Sequence, residues 1–267
     1  MKILVTGSQG FIGKNLTEYL LDENQIVGWD LPEKMPIVDG FDWVVHLGAI
    51  SSTTETNIEK IMKYNLEYSQ ELFQLCNDKG VNFQYASSAS VYGKLTEFSE
   101  NSPVAPESPY AWTKYLFDRW VFQQEQKIIV QGFRYFNVYG PHELHKGNQM
   151  SPLSKFEDQA INHGKIKLFY GSENYKRDFI YVGDICKIHR KFMSDRSSGI
   201  YNIGTGETFS FREIAEAIAQ KHGAEIEEIE MPDNIAKQYQ KYTCADMTKT
   251  RKVIGSFVFT NPLNYID

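Results

Sequence analysis

Cysteine is scarce: Cys76, Cys186 and Cys244 are the only three in 267 residues, and they are scattered. Such a set excludes a disulfide framework and a cysteine-paired zinc site, and fits a reducing compartment. Long apolar runs are missing too; none approaches the roughly 20 residues of a membrane span. Met1-Lys2-Ile3-Leu4 lacks the layout of a secretory leader. Basic residues are in the minority, 28 Lys and Arg against 34 Asp and Glu, for a net charge of −6. With a pI near 5.6 there is no broad basic footprint for nucleic acid. The six histidines show no ligand spacing, so no metal is expected. Internal repeats and low-complexity tracts are absent. The expectation is a cytoplasmic protein with neither a membrane nor a nucleic acid as partner.

What is present suits one large domain or two small ones, with 42% apolar residues and enough chain to bury a core without staples. Residues 2–6 form a short β-rich run. Gly7, Gly10 and Gly13 follow at once, and then Phe11, Ile12, Leu16, Tyr19 and Leu20 recur at helical spacing. Further strands are predicted at 25–29, 43–47, 81–86 and 128–133, with helices at 57–78 and 109–125. Strands alternating with helices imply right-handed βαβ units. The fold class is therefore α/β, a Rossmann-type doubly wound parallel sheet with a smaller α/β C-terminal lobe. In that lobe the pattern predicts helices near 151–163 and 210–222 and strands near 166–169, 177–182 and 200–203. The division is residues 1–145 for the dinucleotide-binding domain, with 177–203 partly returning to it, and 146–267 for the second lobe.

The first turn carries chemistry. Gly7 permits a tight turn, Gly10 lets backbone approach a pyrophosphate, and Gly13 lets the helix pack close to the strand. The helix N-terminus then offers free N–H groups to phosphate. Asp30 ends the second strand, 23 residues after Gly7, where a carboxylate accepts both ribose hydroxyls and repels a 2′-phosphate. That favours NAD over NADP, although Lys34 is a cation close enough in sequence to reverse the preference. A plain strand-end turn is the other reading of Asp30.

Tyr110 and Lys114 stand at i and i+4 on one helix face. The ammonium, together with a positive nicotinamide, is expected to lower the phenol's pKa, so that the phenolate of Tyr110 can take a proton from a sugar hydroxyl. Ser88 follows a strand, at the carboxyl edge where such sheets bind ligands, and can bridge that hydroxyl and Tyr110. The order of glycine turn, serine and Tyr-x-x-x-Lys is far more specific than its parts.

With these residues in place, the chain resembles the extended short-chain dehydrogenase/reductase superfamily, the nucleotide-sugar epimerases and dehydratases, over nearly its whole length. It is most similar to the ADP-L-glycero-D-manno-heptose 6-epimerases, through Ser51-Ser-Thr-Thr-Glu55, Gly132-Phe-Arg-Tyr-Phe-Asn-Val-Tyr-Gly-Pro141, His145-Lys-Gly147 and Gly171-Ser-Glu-Asn-Tyr-Lys-Arg-Asp-Phe179. The resemblance implies a nucleotide-diphosphate sugar as substrate, transient oxidation and re-reduction of a sugar carbon, a homo-oligomer, and a place in lipopolysaccharide precursor synthesis. It puts Phe11 and Ile12 at the pyrophosphate, and Leu47, Gly48, Ala49, Ser51, Asn65 and Val138 around the cofactor. Lys114 would hold the nicotinamide ribose, and Tyr110 and Lys146 would be the two acid/bases. It puts Ser51, Ser88, Asn137, Asn148, Phe169, Ser172, Arg177 and Tyr239 at the substrate, with Arg177 on the diphosphate. The residues alone leave Arg177 free to pair with Asp178 or Glu173 instead, and Lys146 free to be a solvated loop lysine.

The chain also departs from that family. Only residues 31–41 separate Asp30 from Phe41-Asp-Trp43, where the family has a further strand and helix. The chain ends at Asp267, short of the family's terminal helix. Asn148 replaces a serine, Lys155 a histidine and Gln238 an arginine. These departures bear on substrate and oligomer contacts. Two alternatives stand beside the heptose-type epimerase: a UDP-sugar 4-epimerase or other nucleotide-sugar oxidoreductase, and a non-catalytic dinucleotide-binding protein. A dehydratase fits less well, because Ala89 and Ser90 follow Ser88 where elimination needs carboxyl groups.

Overall fold

Alternating apolar runs and helical periods build the architecture in the computed structural model, which describes residues 1–31, 34–52, 55–236 and 239–266, and the backbone alone at residues 148, 234 and 235. The strands in chain order are β1 Lys2–Thr6, β2 Gln25–Trp29, β3 Trp43–His46, β4 Asn82–Ser88, β5 Val130–Tyr135, β6 Asn137–Tyr139, β7 Lys165–Phe169, β8 Lys176–Arg177, β9 Phe179–Tyr181, β10 Gly199–Ile203, β11 Phe209–Ser210, β12 Glu225–Ile229 and β13 Tyr242–Thr243. The helices are α1 Phe11–Leu20, α2 Ile58–Ile61, α3 Tyr68–Lys79, α4 Pro109–Val121, α5 Pro152–His163, α6 Val182–Asp195, α7 Phe211–His222, α8 Asp233–Ala236, α9 Thr248–Ile254 and α10 Pro262–Ile266.

Six strands form one sheet in the order β10-β5-β4-β3-β1-β2, and every pairing in it is parallel. The chain reverses direction across the sheet between β1 and β3, which is where such sheets bind ligands. β3 and β5 are buried at every residue, as expected of strands covered on both faces. β2 is the edge strand and partly exposed. No strand or helix forms between β2 and β3 among the described residues. The second lobe holds a two-stranded pair, β12 with β7, and the β11-β8-β13 sheet. The parallel pair β6–β9 lies beside them. Four buried clusters fill the interior, the largest joining Val91, Phe133, Ile180, Phe192 and Ile203.

Sequence chemistry sets the helix ends that matter for the site. Ser108 accepts from the Ala111 N–H and Pro109 opens α4. Ser151 and Pro152 do the same for α5, and Ser210 with Glu213 makes a capping box for α7.

Several expectations shift. The helix expected over 109–125 stops at Val121. The strand expected over 128–133 runs from Val130 to Tyr135. The strand expected near 177–182 splits into β8 and β9, and Val182 instead opens α6, a 14-residue helix outside the sequence reading. The helical stretch expected over 57–78 contains a π-helical segment, Met62–Glu67, between α2 and α3.

Candidate active site

Three neighbouring cavities of about 350, 370 and 430 Å³ run from the carboxyl edge of the sheet into the second lobe. The first lies at the end of β1 and is lined by Gly7, Gly10, Phe11, Ile12, Gly13, Asp30, Leu47, Gly48, Ala49 and Ser51. Gly7 sits at φ 71°, and a Cβ there would come 2.6 Å from the Gly48 nitrogen. A Cβ on Gly13 would fall on the Gly7 carbonyl. No side chain caps the N-terminus of α1 at Gly10, and Gly10, Phe11, Ile12 and Gly13 of this helix start line the cavity. The residues therefore fit a dinucleotide pyrophosphate: a bare, uncapped helix start behind a turn that only glycine can make.

Asp30 lines the same cavity. Its carboxylate accepts the Ser8 hydroxyl at 2.5 Å and the Gln9 N–H at 3.3 Å, which aims it from the end of β2. Lys34 is exposed. Asn65 is placed differently from expectation. It is buried, and its amide is engaged by the Ile50 N–H (2.8 Å) and the Ile50 carbonyl (3.0 Å), with Thr113 beyond. It fixes the loop that carries Ala49 and Ser51 without lining the cavity itself.

The second cavity brings Ser88, from the end of β4, together with Tyr110 and Lys114 from the first turns of α4, and with Val138 and Lys146. Ser88 and Tyr110 both line this cavity, and the Ser88 hydroxyl accepts from the N–H and hydroxyl of Ser90. Lys114 is buried, donates to the Ala86 carbonyl at 2.8 Å, and lies 5.8 Å from the centre of the Tyr110 ring. The expected lowering of the phenol rests on Lys114 and a positive nicotinamide together, and burial acts against it. Burial raises the Tyr110 pKa above its ordinary value, and Ser88 is the group that opposes the rise. Lys114 is itself pushed down to about 8 by burial, with Asp118 opposing. Desolvation outweighs charge proximity at both groups.

Lys146 belongs to both of these cavities. Its Nζ lies 5.1 Å from the centre of the Phe11 ring and 3.2 Å from the Glu143 carboxylate, so it is not a free loop lysine.

The third cavity is lined by Asn137, Phe169, Ser172, Arg177 and Tyr239, and joins the second at Asn137 and Pro152. The Ser172 hydroxyl is buried with no hydrogen-bond partner among the described residues, a donor left for a ligand. Arg177 donates to the carbonyls of Lys176 and Gln240 and lies over the rings of Phe211 (5.3 Å) and Tyr239 (5.5 Å). Neither suspected acid pairs with it. Asp178 accepts from Thr205, Gly206 and Ala245 backbone N–H groups, and Glu173 pairs with Arg212. The side chain of Asn148, and Thr53, Thr54 and Gln238, lie outside the described residues. Glu143, Pro152 and Phe211 line these cavities without having been picked out by the sequence reading, whereas Lys155, which stands where the resembled family has a substrate-touching histidine, lines the third. Glu143 carried one available signal, its position three residues before Lys146.

Residues 3–204 match the family model of the NAD-dependent epimerase/dehydratase family. The chain belongs to that family. Its cofactor is NAD, in keeping with the cradle and with Asp30. The crystal structure of the Helicobacter pylori ADP-L-glycero-D-manno-heptose-6-epimerase is 26% identical, with a TM-score of 0.88 over 99% of this chain and 93% of that one. The Thermus thermophilus UDP-glucose 4-epimerase, solved with NAD, is 27% identical with a TM-score of 0.79, over 94% and 92%. An NAD-dependent NDP-hexosamine 5,6-dehydratase shares the fold at 21% identity, with a TM-score of 0.83 over 99% and 95%. Among the described residues no helix is long and apolar enough to cross a membrane, and no cluster of His, Cys, Asp or Glu could hold a metal.

Proposed function

We propose that this protein is a nucleotide-sugar epimerase that inverts one sugar carbon with two proton carriers, and that it resembles the ADP-glycero-manno-heptose 6-epimerases in mechanism. The observation that carries this reading is one cavity walled by both Tyr110 and Lys146. Bound NAD supplies the hydride acceptor and, later, the hydride donor. The nucleoside diphosphate is held in the third cavity, where Arg177 forks onto phosphate oxygens and Ser172 donates its free hydroxyl. Ser88 orients the reacting hydroxyl towards the phenolic oxygen of Tyr110, which takes its proton as the phenolate, the form that the positive nicotinamide of bound NAD and Lys114 would together favour against burial. Lys114 holds the nicotinamide ribose. Lys146 Nζ returns a proton to the same oxygen after the intermediate has turned to show its other face. An exocyclic carbon suits this pair, because rotation about one bond presents either face to fixed groups.

Dehydration is disfavoured by the same cavity. Elimination needs a carboxylic acid at the leaving hydroxyl, and Glu143 is the one carboxyl group among the described lining residues. Both of its oxygens are already occupied by donors from Lys146, Ser151 and Ser154.

The test is turnover of ADP- and UDP-linked sugars, with NMR of the product stereocentre. Inversion at one carbon with no loss of water is expected, and Tyr110→Phe and Lys146→Met should each lower kcat at least about 10²-fold, the scale of a positioned acid or base. Loss of water would make the protein a dehydratase. A raised KM with kcat intact in Lys146→Met would reduce the lysine to substrate binding and favour a one-base, UDP-sugar 4-epimerase reading.

A further inference from the structure

Glu143 is a buried carboxylate, its side chain 1% exposed, in the loop between β6 and α5. Four donors converge on it. Oε1 accepts the Ser151 N–H at 2.6 Å and Lys146 Nζ at 3.2 Å; Oε2 accepts the hydroxyls of Ser151 and Ser154, each at 2.7 Å. A buried carboxylate is tolerated only where its lone pairs are met in this way. Capping α5 does not require it, because the Ser151 hydroxyl already accepts the Ser154 N–H. What Glu143 adds is a fixed place for the Lys146 ammonium, at the wall shared by the cofactor and catalytic cavities. It also ties that ammonium to the first turn of α5, whose Pro152 and Lys155 wall the substrate cavity.

We infer that Glu143 is the positioning residue of the second acid/base: it holds Lys146 Nζ at the reacting carbon's far face and makes the lysine one rigid unit with the wall that seats the substrate. This rests on the reading of Lys146 as an acid/base. Tethering by one donor leaves the remaining N–H groups of the ammonium free to point into the cavity. An untethered lysine stem would sample many rotamers, and misplacing an acid by about 1 Å can cost 10²-fold in rate.

The experiment is a double-mutant cycle on the NAD-loaded enzyme, with whichever nucleotide sugar turns over in the panel above. Glu143→Gln keeps the shape and removes the charge. It should lower kcat roughly tenfold to a hundredfold with KM changed less than about twofold, and more severely for the epimer whose turnover leans on Lys146. In a Lys146→Met background the same substitution should change kcat less than about threefold, because the group it positions is gone. Should Glu143→Gln fail to fold, Glu143→Asp makes the same comparison, since it keeps the charge but draws it back by one methylene. Unchanged kcat in the Glu143 variant overturns the inference. So does an equal fold-loss in both backgrounds, which would show that Glu143 serves the fold. If Lys146→Met itself keeps full kcat, the two-carrier reading falls and takes this inference with it. If Lys146→Met is crippled while the Glu143 variant is not, only this inference falls.

Discussion

Arg177 is a buried cation that pairs with no acid among the described residues. Its guanidinium rests on two aromatic faces and two neutral carbonyls. Burial alone pulls its pKa below the usual arginine value, with Tyr239 opposing. A cation kept in such a place suits an anionic ligand. Arg177→Ala should weaken ADP and UDP binding by about 1.5–3 kcal/mol, the scale of a hydrogen bond to a charged group. Calorimetric titration of the folded variant measures this, and unchanged nucleoside-diphosphate affinity would show that the arginine only braces Tyr239 and Phe211. Which of the sequence-named residues come together can be stated from the cavities they line. The glycine turn, Asp30, Ser88, Tyr110 and Lys114 line two adjoining cavities because each sits at a strand end or in the first two turns of a helix that follows one. Their electrostatics were not legible. Burial raises Tyr110 and lowers Lys114, and depth in a fold is not written in a four-residue spacing.

At the scale of elements, the π-helical segment Met62–Glu67 was invisible in the sequence because six residues of wider turn are too few to shift the apolar repeat read over the whole helical stretch. It carries Asn65, whose amide binds both the N–H and the carbonyl of Ile50. Such wide turns are often found at functional sites. Asn65→Ala leaves both Ile50 groups without this partner. It should lower stability by about 1–3 kcal/mol, the cost of unmet buried polar groups. It should also weaken NAD several-fold, since Ala49 and Ser51 flank Ile50 in the cofactor wall. Urea unfolding and fluorescence titration with NAD check the two effects, and lost stability with NAD affinity intact would confine Asn65 to the fold. α6 escaped the sequence reading for a different reason. Its buried face, Val182, Ile185, Cys186, His189, Phe192 and Met193, has helical spacing, but it includes His189, a residue type normally scored as polar. In place it is a neutral core group, bonded to Gln84 and Tyr135.

Across the whole molecule, chain order and spatial order diverge most where the second half returns to the first. β10 joins the large sheet beside β5, and Gln240 of the second half donates to the Gly93 carbonyl beyond Ser88. Runs of β-rich residues indicated the strands, but nothing local in the sequence specified these long-range partners. The return buries His189 against β4 and β5, while His46 is sealed between Thr6 and Ser69 at distances of 2.7 and 2.8 Å. Burial pushes each imidazole down to about 3, with Lys114 adding to the effect at His46. In the unfolded chain both titrate near 6.5. Between these values the unfolded state binds more protons than the native one, so stability rises with pH through that window and is lost as pH falls below 6.5. Each histidine contributes a slope of up to about 1.4 kcal/mol per pH unit. Asp118 and Asp178 are raised by burial and act in the opposite sense as pH rises above 3.8. Urea unfolding should therefore show at least about 2 kcal/mol lost between pH 6.5 and pH 5, a loss that His46→Gln and His189→Gln together abolish while each alone roughly halves it. An unchanged acid loss in the double variant would assign it to groups other than these two imidazoles.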